Sequence, residues 1–533
     1  MQDMRIALIA TPYPLEEAPS PPLGLSYAAA ALESVGATVR ILDFIVSRYT
    51  PEKLRRFLDA FEPDAVGAGC VTMNYPDAER IIKDVKRFRP DTVTMMGGPH
   101  VSFDVEGTFA SCPELDLVVI GEGEDTLMEL APVLTDRSAW GAVRGIAYRE
   151  DGEVVRTGPR ELIHDLDRLP LPARHLLPVS RYLALGYPVS IITSRGCPNR
   201  CIFCLGRKMV GFKGRYRDPG LVVDEIEHIL SLGFTRINVA DDLFTADRKR
   251  VAMLCEEILG RGVKFGWSAF ARVNTVDPET LKIMRKAGCD CISFGIESGN
   301  PEMLKRIRKG ITLEQARQAV AWCKEADILP HASFMVGLPG ETRQTLEDTH
   351  RFATELNIAY GYHFFAPFPG TTVREELENY DIEILTNDWG RYDANSPVVR
   401  TSALSPEEMI EFVKEYDRFN EAIWEESERR VAEGTCTERE YLLVEGNKKL
   451  KLVYTVLSSD LVEEASIERV DHASPQDLLA SRLAAVTGTD ENFTKRVIGE
   501  FFQAGYLRHS LEGSRFRYRW THNLEVDELP IAP

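Results

Sequence analysis

Three cysteines in one short segment have a spacing that suits metal chemistry. Cys197, Cys201 and Cys204 follow one another at C-x3-C-x2-C spacing within the segment RGCPNRCIFC. Iron–sulfur clusters are held by cysteine thiolates, usually four. This segment offers three, so we expect a [4Fe–4S] cluster with one iron open to a cofactor or substrate. A structural zinc site and three unrelated cysteines remain alternatives, although zinc motifs usually contain a second C-x-x-C pair, which this sequence lacks.

Distinctive residues also follow the predicted strands downstream of the cysteines. They are Asp241, Asp242, Arg272, Glu297, Ser298, Val336 and Gly337. Taken singly, such carboxylates are more often helix caps or surface ion pairs than ligands. The carboxyl ends of parallel strands share one edge, where barrel enzymes carry their chemistry. We therefore expect these residues to surround the cysteine segment.

Upstream of the cysteines, four predicted strands end in small or polar turns. The turn residues are Thr11, Tyr13, Cys70, Val71, Thr72, Gly97, Gly98, His100, Gly121, Glu122 and Gly123. Glycines at such positions let the backbone approach a bulky ligand, and parallel sheets bind ligands at this edge. A G-x-G-x-x-G motif does not follow the first strand, so a dinucleotide is not expected. Each turn could equally be a tight strand-to-helix connection, but four on one edge favour a ligand.

The elements that must position these turns alternate regularly. Strands are predicted at 4–10, 39–44, 65–70, 92–97 and 117–121, with helices at 24–35, 51–61, 76–88 and 124–134. This alternation predicts a parallel, doubly wound, Rossmann-like sheet. From residue 188, strands are predicted at 189–194, 235–240, 265–271, 291–296, 332–336 and 361–365, with helices between them. Six such units predict an α/β protein whose central part is an open, partial TIM-type (β/α)6 barrel.

Four regions follow from this pattern. We expect a Rossmann-like domain at 1–140, a hairpin and linker at 141–185, the partial barrel at 186–385 and a mostly helical region at 386–533. The hairpin spans 144–158 and turns at Asp151-Gly152. The end of the chain reads as two helices and a hairpin turning at Gly513, resembling a winged helix with a basic wing. That module could recognise a substrate such as a leader peptide, or simply cap the barrel.

Composition restricts the class of protein further. The 533-residue chain has a formal net charge of −19, which argues against general nucleic-acid binding. Its ten cysteines are mostly scattered, as in a reducing compartment. We see neither a membrane-spanning apolar run nor a signal-peptide pattern. A cytoplasmic location is therefore expected, and the oligomeric state is unknown.

Two groups of residues together resemble a known enzyme family. The Gly97-Gly-Pro-His100 and Gly121-Glu-Gly-Glu124 turns, placed upstream of the cysteine segment, are similar to the cobalamin-binding domain of cobalamin-dependent radical S-adenosylmethionine enzymes. Residues 186–380 resemble the radical S-adenosylmethionine superfamily. The resemblance implies a [4Fe–4S] cluster, S-adenosylmethionine and cobalamin as cofactors, an external one-electron reductant and a small-molecule substrate.

The resemblance also implies roles for single residues. The three cysteines would hold three irons, and the open iron would bind the amino and carboxylate groups of S-adenosylmethionine. Phe203 and the strand-end residues named above would contact S-adenosylmethionine, and the upstream turns would contact cobalamin. The aspartates Asp241 and Asp242 stand where many relatives have Gly-Gly-Glu, so that contact departs from the family pattern. The cobalt-ligating D-x-H-x-x-G motif is absent, so His100 is not assigned to cobalt, whereas Tyr13 and Cys70 are candidates for facing it.

The predicted function is a radical methyl transfer. Removing hydrogen from an unactivated carbon needs a cofactor rather than side-chain acids and bases. We expect a methyltransferase acting on a carbon of a small molecule or natural-product intermediate. A non-methylating cyclisation, rearrangement or oxidation with the same cofactors is the main alternative. Modification of a peptide is a further, less favoured alternative. A cobalamin- or cluster-sensing DNA-binding protein is disfavoured.

Overall fold

The chain is an α/β protein in which two sheets are followed by a helical C-terminal region. A computed structural model describes residues 4–14 and 18–521. Residues 1–3 and 15–17 of the predicted first domain, and residues 522–533 of the predicted C-terminal region, lie outside the described residues. Among the described residues, no helix combines the length and the apolar character needed to cross a membrane.

The first sheet has seven strands in the order β2-β1-β3-β4-β5-β6-β7. Its strands are β1 (Arg5–Ala10), β2 (Thr38–Asp43), β3 (Ala65–Gly69), β4 (Val93–Gly97), β5 (Leu117–Val119), β6 (Ile146–Glu150) and β7 (Glu153–Arg156). Its helices are α1 (Leu23–Ser34), α2 (Pro51–Phe61), α3 (Tyr75–Phe88), α4 (Pro99–Phe103), α5 (Val105–Ser111) and α6 (Glu124–Leu130). The first five strands are parallel, which confirms the predicted doubly wound sheet.

The hairpin predicted as part of a linker instead extends this sheet. β6 pairs antiparallel with β5, and β7 pairs antiparallel with β6. The turn lies at Asp151 and Gly152 as predicted, with φ of 50° and 87°. Two successive positive φ angles fit the type I′ turn that matches the twist of a hairpin. The sheet therefore continues to Arg156, past the predicted boundary at residue 140.

A short connection with α7 (Val179–Leu185) leads to the second sheet. Six parallel strands follow in the order β15-β14-β13-β12-β11-β8. They are β8 (Val189–Ile191), β11 (Arg236–Val239), β12 (Gly266–Ala271), β13 (Cys289–Glu297), β14 (Leu329–Val336) and β15 (Ala359–Phe364). Within the described residues β8 and β15 do not pair, so the sheet has two edges. The short strands β9 (Ser194–Arg195) and β10 (Arg215–Tyr216), with α8 (Gly206–Val210) between them, follow β8.

Helices cover the outer face of the second sheet. They are α9 (Pro219–Ser231), α10 (Arg248–Gly260), α11 (Pro278–Lys286), α12 (Pro301–Arg306), α13 (Leu313–Glu325) and α14 (Arg343–Glu355). Their starts are encoded locally: Thr312, for example, caps α13 and forms a capping box with Gln315. The outward residues of the strands, such as Ile292 and Phe294, are fully buried under these helices.

The C-terminal region is mostly helical, as predicted. Its elements are α15 (Thr372–Glu375), β16 (Glu383–Ile384), β17 (Val399–Arg400), α16 (Pro406–Glu433), α17 (Glu438–Ser458), β18 (Ser466–Glu468), α18 (Pro475–Thr487), α19 (Glu491–Gln503), β19 (Leu507–Glu512) and β20 (Arg515–Trp520). The predicted hairpin turns at Gly513, whose φ is 61°. β18, which the sequence did not reveal, joins the hairpin in a sheet of order β18-β20-β19.

Replacing Leu281 by alanine tests the packing of the helical layer on the second sheet. Leu281 in α11 is fully buried, whereas Leu259 in α10 is 44% exposed. We expect Leu281→Ala to lower the free energy of unfolding by about 2–5 kcal/mol, because the site cannot fully collapse around the lost methyl groups. Urea unfolding should show only a small change, within about 0.5 kcal/mol, for Leu259→Ala. Equal effects of the two substitutions would contradict the packing described here.

Candidate functional site

A two-residue ladder closes the loop that carries the three cysteines. Arg195 pairs with Arg215, and Ser194 pairs with Tyr216, so residues 196–214 form a loop between β9 and β10. Gly196 enters the loop with φ of 107°, and a Cβ there would lie 2.2 Å from the carbonyl oxygen of Lys213. Only glycine tolerates this approach. The cysteine loop is therefore held at both ends by backbone contacts.

Each cysteine sulfur in this loop accepts a hydrogen bond from a nitrogen. Asn199 Nδ2 lies 3.3 Å from Cys197 Sγ. Arg272 Nη1 lies 3.4 Å from Cys201 Sγ, and the backbone nitrogen of Gly206 lies 3.4 Å from Cys204 Sγ. Such donors stabilise negative charge on sulfur. Burial opposes this effect at Cys204, where it raises the pKa of the thiol, while the bond from Gly206 lowers it.

A cavity of about 240 Å³, here called the cysteine cavity, opens beside the three sulfurs. Phe203, Asp242, Arg272 and Glu297 line it, as the sequence predicted. Its wall also contains residues that the sequence analysis did not single out: Asn199, Arg207, Leu243, Phe270, Ala271, Ser293, Gly295 and Lys309. The strand-end edge of the second sheet and the cysteine loop therefore enclose one space.

Lys309 is the most informative of the residues missed from the sequence. Its side chain is buried, and Nζ donates to Glu297 Oε1 at 2.7 Å. Nζ also lies 5.6 Å from the centre of the Phe203 ring, within the range of a cation–π contact. Glu297 itself has φ of 70°, a backbone conformation seldom adopted outside glycine. Lys309 is the last residue of a basic run that begins in α12 and extends beyond it. In the sequence, only the glycine that follows it, Gly310, distinguishes Lys309 from the other basic residues of that run.

Two predicted site residues have structural roles. Asp241 accepts hydrogen bonds from the backbone nitrogen and hydroxyl of Thr193 and from the hydroxyl of Ser194, each at 2.6 Å. Ser298 Oγ lies 3.1 Å from Thr349 Oγ1 and accepts from the backbone of Asn300. Neither residue lines the cysteine cavity. Their contact with S-adenosylmethionine stays a prediction, beside these structural roles.

Val336 and Gly337 also lie away from the cysteine cavity. Val336 belongs to a separate buried cluster with Met409 of α16. A Cβ at Gly337 would lie 3.0 Å from the Met409 sulfur. The turn is fixed by Glu341, whose Oε2 accepts from the backbone nitrogens of Gly337 at 2.6 Å and Leu338 at 3.2 Å. The strand end is therefore a docking point for the C-terminal region.

A larger cavity of about 480 Å³ lies at the carboxyl edge of the first sheet. This sheet-edge cavity is lined by nine of the predicted residues: Thr11, Tyr13, Cys70, Val71, Gly97, Gly98, Gly121, Glu122 and Gly123. Gly98 has φ of 115°, and a Cβ there would lie 2.3 Å from the carbonyl oxygen of Cys70. Asn74, missed from the sequence, also lines the cavity and holds Thr11 and Val71 through hydrogen bonds of 2.7 and 2.9 Å.

Thr72 and His100 do not line the sheet-edge cavity, so their contact with cobalamin stays a prediction. His100 is buried, and its ring lies 4.3 Å from the Tyr75 ring and 5.0 Å from the Trp389 ring, centre to centre. Its Nδ1 is 3.3 Å from Thr72 Oγ1. Burial lowers the pKa of His100 to about 4. The neutral imidazole therefore packs behind the strand ends.

Asp242 lines both cavities. Its Oδ2 accepts a hydrogen bond of 3.0 Å from the backbone nitrogen of Gly196, at the start of the cysteine loop. The two cavities consequently adjoin at this carboxylate.

Comparisons with known proteins agree with this arrangement. The Radical SAM superfamily model matches residues 191–353, and the B12 binding domain model matches residues 17–131. An uncharacterised methyltransferase of Pyrococcus horikoshii is 35% identical over 397 residues, which cover 74% of this chain and 86% of that protein. The chain belongs to the cobalamin-binding radical S-adenosylmethionine enzymes.

Two further relatives show the range of this family. The anaerobic magnesium-protoporphyrin IX monomethyl ester cyclase of Cereibacter sphaeroides is 32% identical over 415 residues, covering 75% of this chain and 67% of that protein. The solved structure of the radical S-adenosylmethionine methyltransferase TsrM from Kitasatospora setae, with cobalamin and a [4Fe–4S] cluster bound, has a TM-score of 0.64. It is 18% identical, and the match covers 94% of this chain and 100% of that one, so this likeness concerns the fold.

A radical S-adenosylmethionine enzyme of this family uses a [4Fe–4S] cluster, S-adenosylmethionine and cobalamin. The residues present fit these groups. Within the described part of the chain, no three Cys, His, Asp or Glu side chains converge on a single metal ion. A cluster does not require such convergence, because each thiolate binds a different iron. The sheet-edge cavity, with its glycine turns and a wall rich in aliphatic and methionine side chains, suits a large, flat, partly apolar cofactor.

Glu341 gives the enzyme a testable pH dependence of stability. Burial raises the pKa of this carboxyl to about 8 from its usual value of 4.5, and the two backbone hydrogen bonds oppose the rise. Between these pH values the folded protein holds a proton that the unfolded chain has lost, so the contribution of Glu341 to stability falls as pH rises and levels off above about 8.

We expect Glu341→Gln to remove a decline of about 1.4 kcal/mol for each pH unit in that window. Glutamine keeps an acceptor for the two N–H groups but cannot ionise. Thermal unfolding from pH 5 to 8 should therefore show a flatter profile and a higher Tm at pH 8 than the unchanged enzyme. The exposed Glu428 on α16 supplies the matched control, Glu428→Gln. A profile for Glu341→Gln parallel to that of the unchanged enzyme would contradict the assignment.

Asn199 should tune the reduction potential of the cluster. A hydrogen bond to a ligating sulfur favours the more negative, reduced state, so Asn199→Ala should lower the potential. A bond of ~1.4 kcal/mol corresponds to about 60 mV for a one-electron couple. An EPR-monitored redox titration of the reconstituted enzyme measures this shift. Asn274→Ala is the control, because Asn274 donates to the carbonyl of Gly310 and to no sulfur; equal potentials for the two variants would rule the effect out.

Proposed function

We propose that this enzyme transfers a methyl group to a carbon of a small-molecule substrate, with cobalamin in the sheet-edge cavity and S-adenosylmethionine in the cysteine cavity. The observation that carries the proposal is that Asp242 lines both cavities. Two cofactor sites that adjoin can serve one substrate without release of a reactive species. When bound, the cluster and S-adenosylmethionine supply one-electron chemistry, and cobalamin supplies a transferable methyl group.

The cysteine loop is proposed to hold the cluster through Cys197, Cys201 and Cys204. Their three nitrogen donors support the thiolate state. Arg272, expected to contact S-adenosylmethionine, directs one nitrogen to Cys201 Sγ and donates another to the carbonyl oxygen of Lys309. We therefore place Arg272 on the cluster side of the cavity, where its charge offsets that of the thiolates.

The pair of Glu297 and Lys309 is proposed to receive the methionine part of S-adenosylmethionine. Both side chains are buried and face the same cavity. The methionine part carries an amino group and a carboxylate, so Glu297 could accept a hydrogen bond from the amino group and Lys309 could donate one to the carboxylate while the open iron binds both groups. Phe203, beside Lys309, offers an aromatic face near this position. These contacts position the cofactor and do not transfer protons.

The surrounding architecture supports the same proposal. We infer that the six-stranded sheet with unpaired edges is a partial (β/α)6 barrel, which leaves a lateral opening for the substrate. We also infer that α17, β18, α18, α19, β19 and β20 form a winged helix, since the elements occur in that order. Lys53 of α2 pairs with Asp460 at 2.7 Å, and Arg181 of α7 pairs with Glu463 at 2.6 Å. These contacts favour a packing role for the module over recognition of a peptide or nucleic acid.

A second candidate is a radical cyclisation or oxidation without methyl transfer. It is favoured by the 32% identity to the anaerobic magnesium-protoporphyrin IX monomethyl ester cyclase of Cereibacter sphaeroides. Both candidates require the same cofactors and an external one-electron reductant, so the fate of the methyl group must separate them.

Deuterated S-adenosylmethionine distinguishes the two candidates before the substrate is known. The enzyme would be reconstituted anaerobically with iron, sulfide and hydroxocobalamin, then mixed with a reductant and S-adenosylmethionine carrying a CD3 group. We expect 5′-deoxyadenosine, S-adenosylhomocysteine and a CD3 group on the recovered cobalamin, measured by mass spectrometry. Labelled S-adenosylmethionine would then support a search for a CD3-bearing product among candidate substrates.

Cysteine variants provide the controls for this experiment. Cys201→Ala should abolish formation of 5′-deoxyadenosine, because the cluster loses one of its three protein ligands. Cys436→Ala, in a cysteine outside both cavities, should retain it. Formation of 5′-deoxyadenosine without any transfer of CD3 to cobalamin or product would favour the second candidate instead.

A further inference from the structure

The two arginines at the ends of the cysteine loop both place their guanidinium groups beside one turn of the first sheet. Arg195 and Arg215 face each other across the β9–β10 ladder. Both guanidinium groups turn toward the Gly121–Glu124 turn of the first sheet. The base of the cysteine loop therefore rests on the domain that contains the sheet-edge cavity.

Glu122 binds both arginines at once. Its Oε1 lies 3.1 Å from Arg195 Nη1 and 2.8 Å from Arg215 Nη2, and its Oε2 lies 2.8 Å from Arg215 Nη1. Glu124 Oε1 accepts a further bond of 2.5 Å from Arg195 Nη2. We call these four residues, Glu122, Glu124, Arg195 and Arg215, the junction network.

The junction network is buried and electrically balanced. Each of the four side chains is at most 9% exposed. Two carboxylates face two guanidinium groups, so no net charge is buried. Loss of one partner from such a network leaves an uncompensated buried charge, which is far more costly than loss of a surface pair. The network therefore links the position of the loop to that of the turn.

The same residues form part of the wall of the sheet-edge cavity. Glu122, Glu124 and Arg195 line that cavity, together with Gly121 and Gly123 of the turn. Arg195 also lies over the Tyr27 ring, 5.5 Å from its centre, and Tyr27 lines the cavity as well. A ligand that fills the cavity must contact the turn or its neighbours. The turn also bonds to Arg195, the residue that precedes the cysteine loop.

We propose that Glu122 is a positioning residue that couples the two cofactor sites, so that cobalamin bound in the sheet-edge cavity and the cluster bound by the cysteine loop each strengthen binding of the other. The junction network transmits the effect by fixing the turn and both ends of the loop together. Coupling of this kind is reciprocal, because both ligands favour the same arrangement of the network. The proposal goes beyond the chemistry of methyl transfer and rests on two assignments of the proposed function, cobalamin to the sheet-edge cavity and the cluster to the cysteine loop.

A comparison of cobalamin affinities tests the coupling without any catalytic turnover. The dissociation constant of hydroxocobalamin would be measured by absorbance titration for the full-length enzyme with and without its cluster, in the absence of S-adenosylmethionine. We expect the cluster-loaded enzyme to bind hydroxocobalamin about 5- to 150-fold more tightly, the usual range of coupling between two sites. In the converse experiment, bound hydroxocobalamin should slow loss of iron to a chelator.

The affinity ratio is the dissociation constant of hydroxocobalamin without the cluster divided by that with the cluster. Glu122→Gln should bring this ratio close to one. Glutamine keeps the size of the side chain but removes the charge that holds both arginines. Arg195→Lys is a second variant that keeps the charge and loses the two-point guanidinium contact, so the test does not depend on one substitution folding well. Glu106→Gln is the matched control, because Glu106 forms an exposed pair with Arg156 in the same domain. Its ratio should equal that of the unchanged enzyme.

The ratio separates coupling from simple structural support. A purely structural role for Glu122 would weaken cobalamin binding with and without the cluster equally and leave the ratio unchanged, which would overturn the proposal. A ratio near one in the unchanged enzyme would overturn it as well. Failure of methyl transfer would not affect either measurement, because S-adenosylmethionine is absent from both.

Discussion

The parallel strands of the two sheets present their carboxyl ends to one another, and buried ion pairs hold the sheets in this arrangement. Arginines on both sides of the cysteine loop meet carboxylates that end a turn of the first sheet. A further buried carboxylate, Glu225 of α9, pairs with Arg217 and Arg174. Apolar packing alone would allow the two sheets to slide, whereas paired charges with fixed hydrogen-bond geometry allow one register. The adjacency of the two cavities depends on this constraint.

Because the carboxyl ends of the strands of both sheets meet, one carboxylate, that of Asp242, lines both cavities. Asp241 and Asp242 are consecutive residues after β11, so their side chains point in different directions. Asp241 is buried and fixes the connection from β8 to β9 through Thr193 and Ser194. Asp242 turns outward and holds Gly196 at the entrance of the cysteine loop. One aspartate thus secures the sheet, and the other forms the boundary between the cavities.

Much of this could be predicted from the sequence, for identifiable physical reasons. The strands of both sheets are short apolar runs separated by capped helices, and this alternation has one regular solution, the parallel sheet. The cysteine spacing and the glycine turns are local features, so their positions followed directly. The hairpin at Asp151-Gly152 was also local, but its pairing with β5 was not, because an edge strand is chosen by tertiary contacts.

Three of the predicted site residues outside the two cavities share one property. Ser298, Gly337 and His100 each follow a strand, where ligands are expected, and each packs against or bonds to a neighbouring element. Sequence position identifies the edge of a sheet but does not say which side chains at that edge are already engaged. Lys309 presents the opposite case, since it follows a helix and lines the cavity, close in sequence to Ile307, whose carbonyl oxygen accepts from the backbone nitrogen of Ile202 in the cysteine loop at 3.2 Å.

The charges inside the cysteine cavity fit a zwitterionic ligand better than an anion or a cation. Arg272 offsets the thiolates through its bond to Cys201 and is committed to them. Glu297 and Lys309 then form a neutral pair that faces the remaining space. An anion would have to displace Glu297, and a cation would have to displace Lys309, each leaving a buried charge without a partner. A ligand that offers both a hydrogen-bond donor and a carboxylate would give Glu297 and Lys309 a new partner each, so that neither buried charge would be left alone.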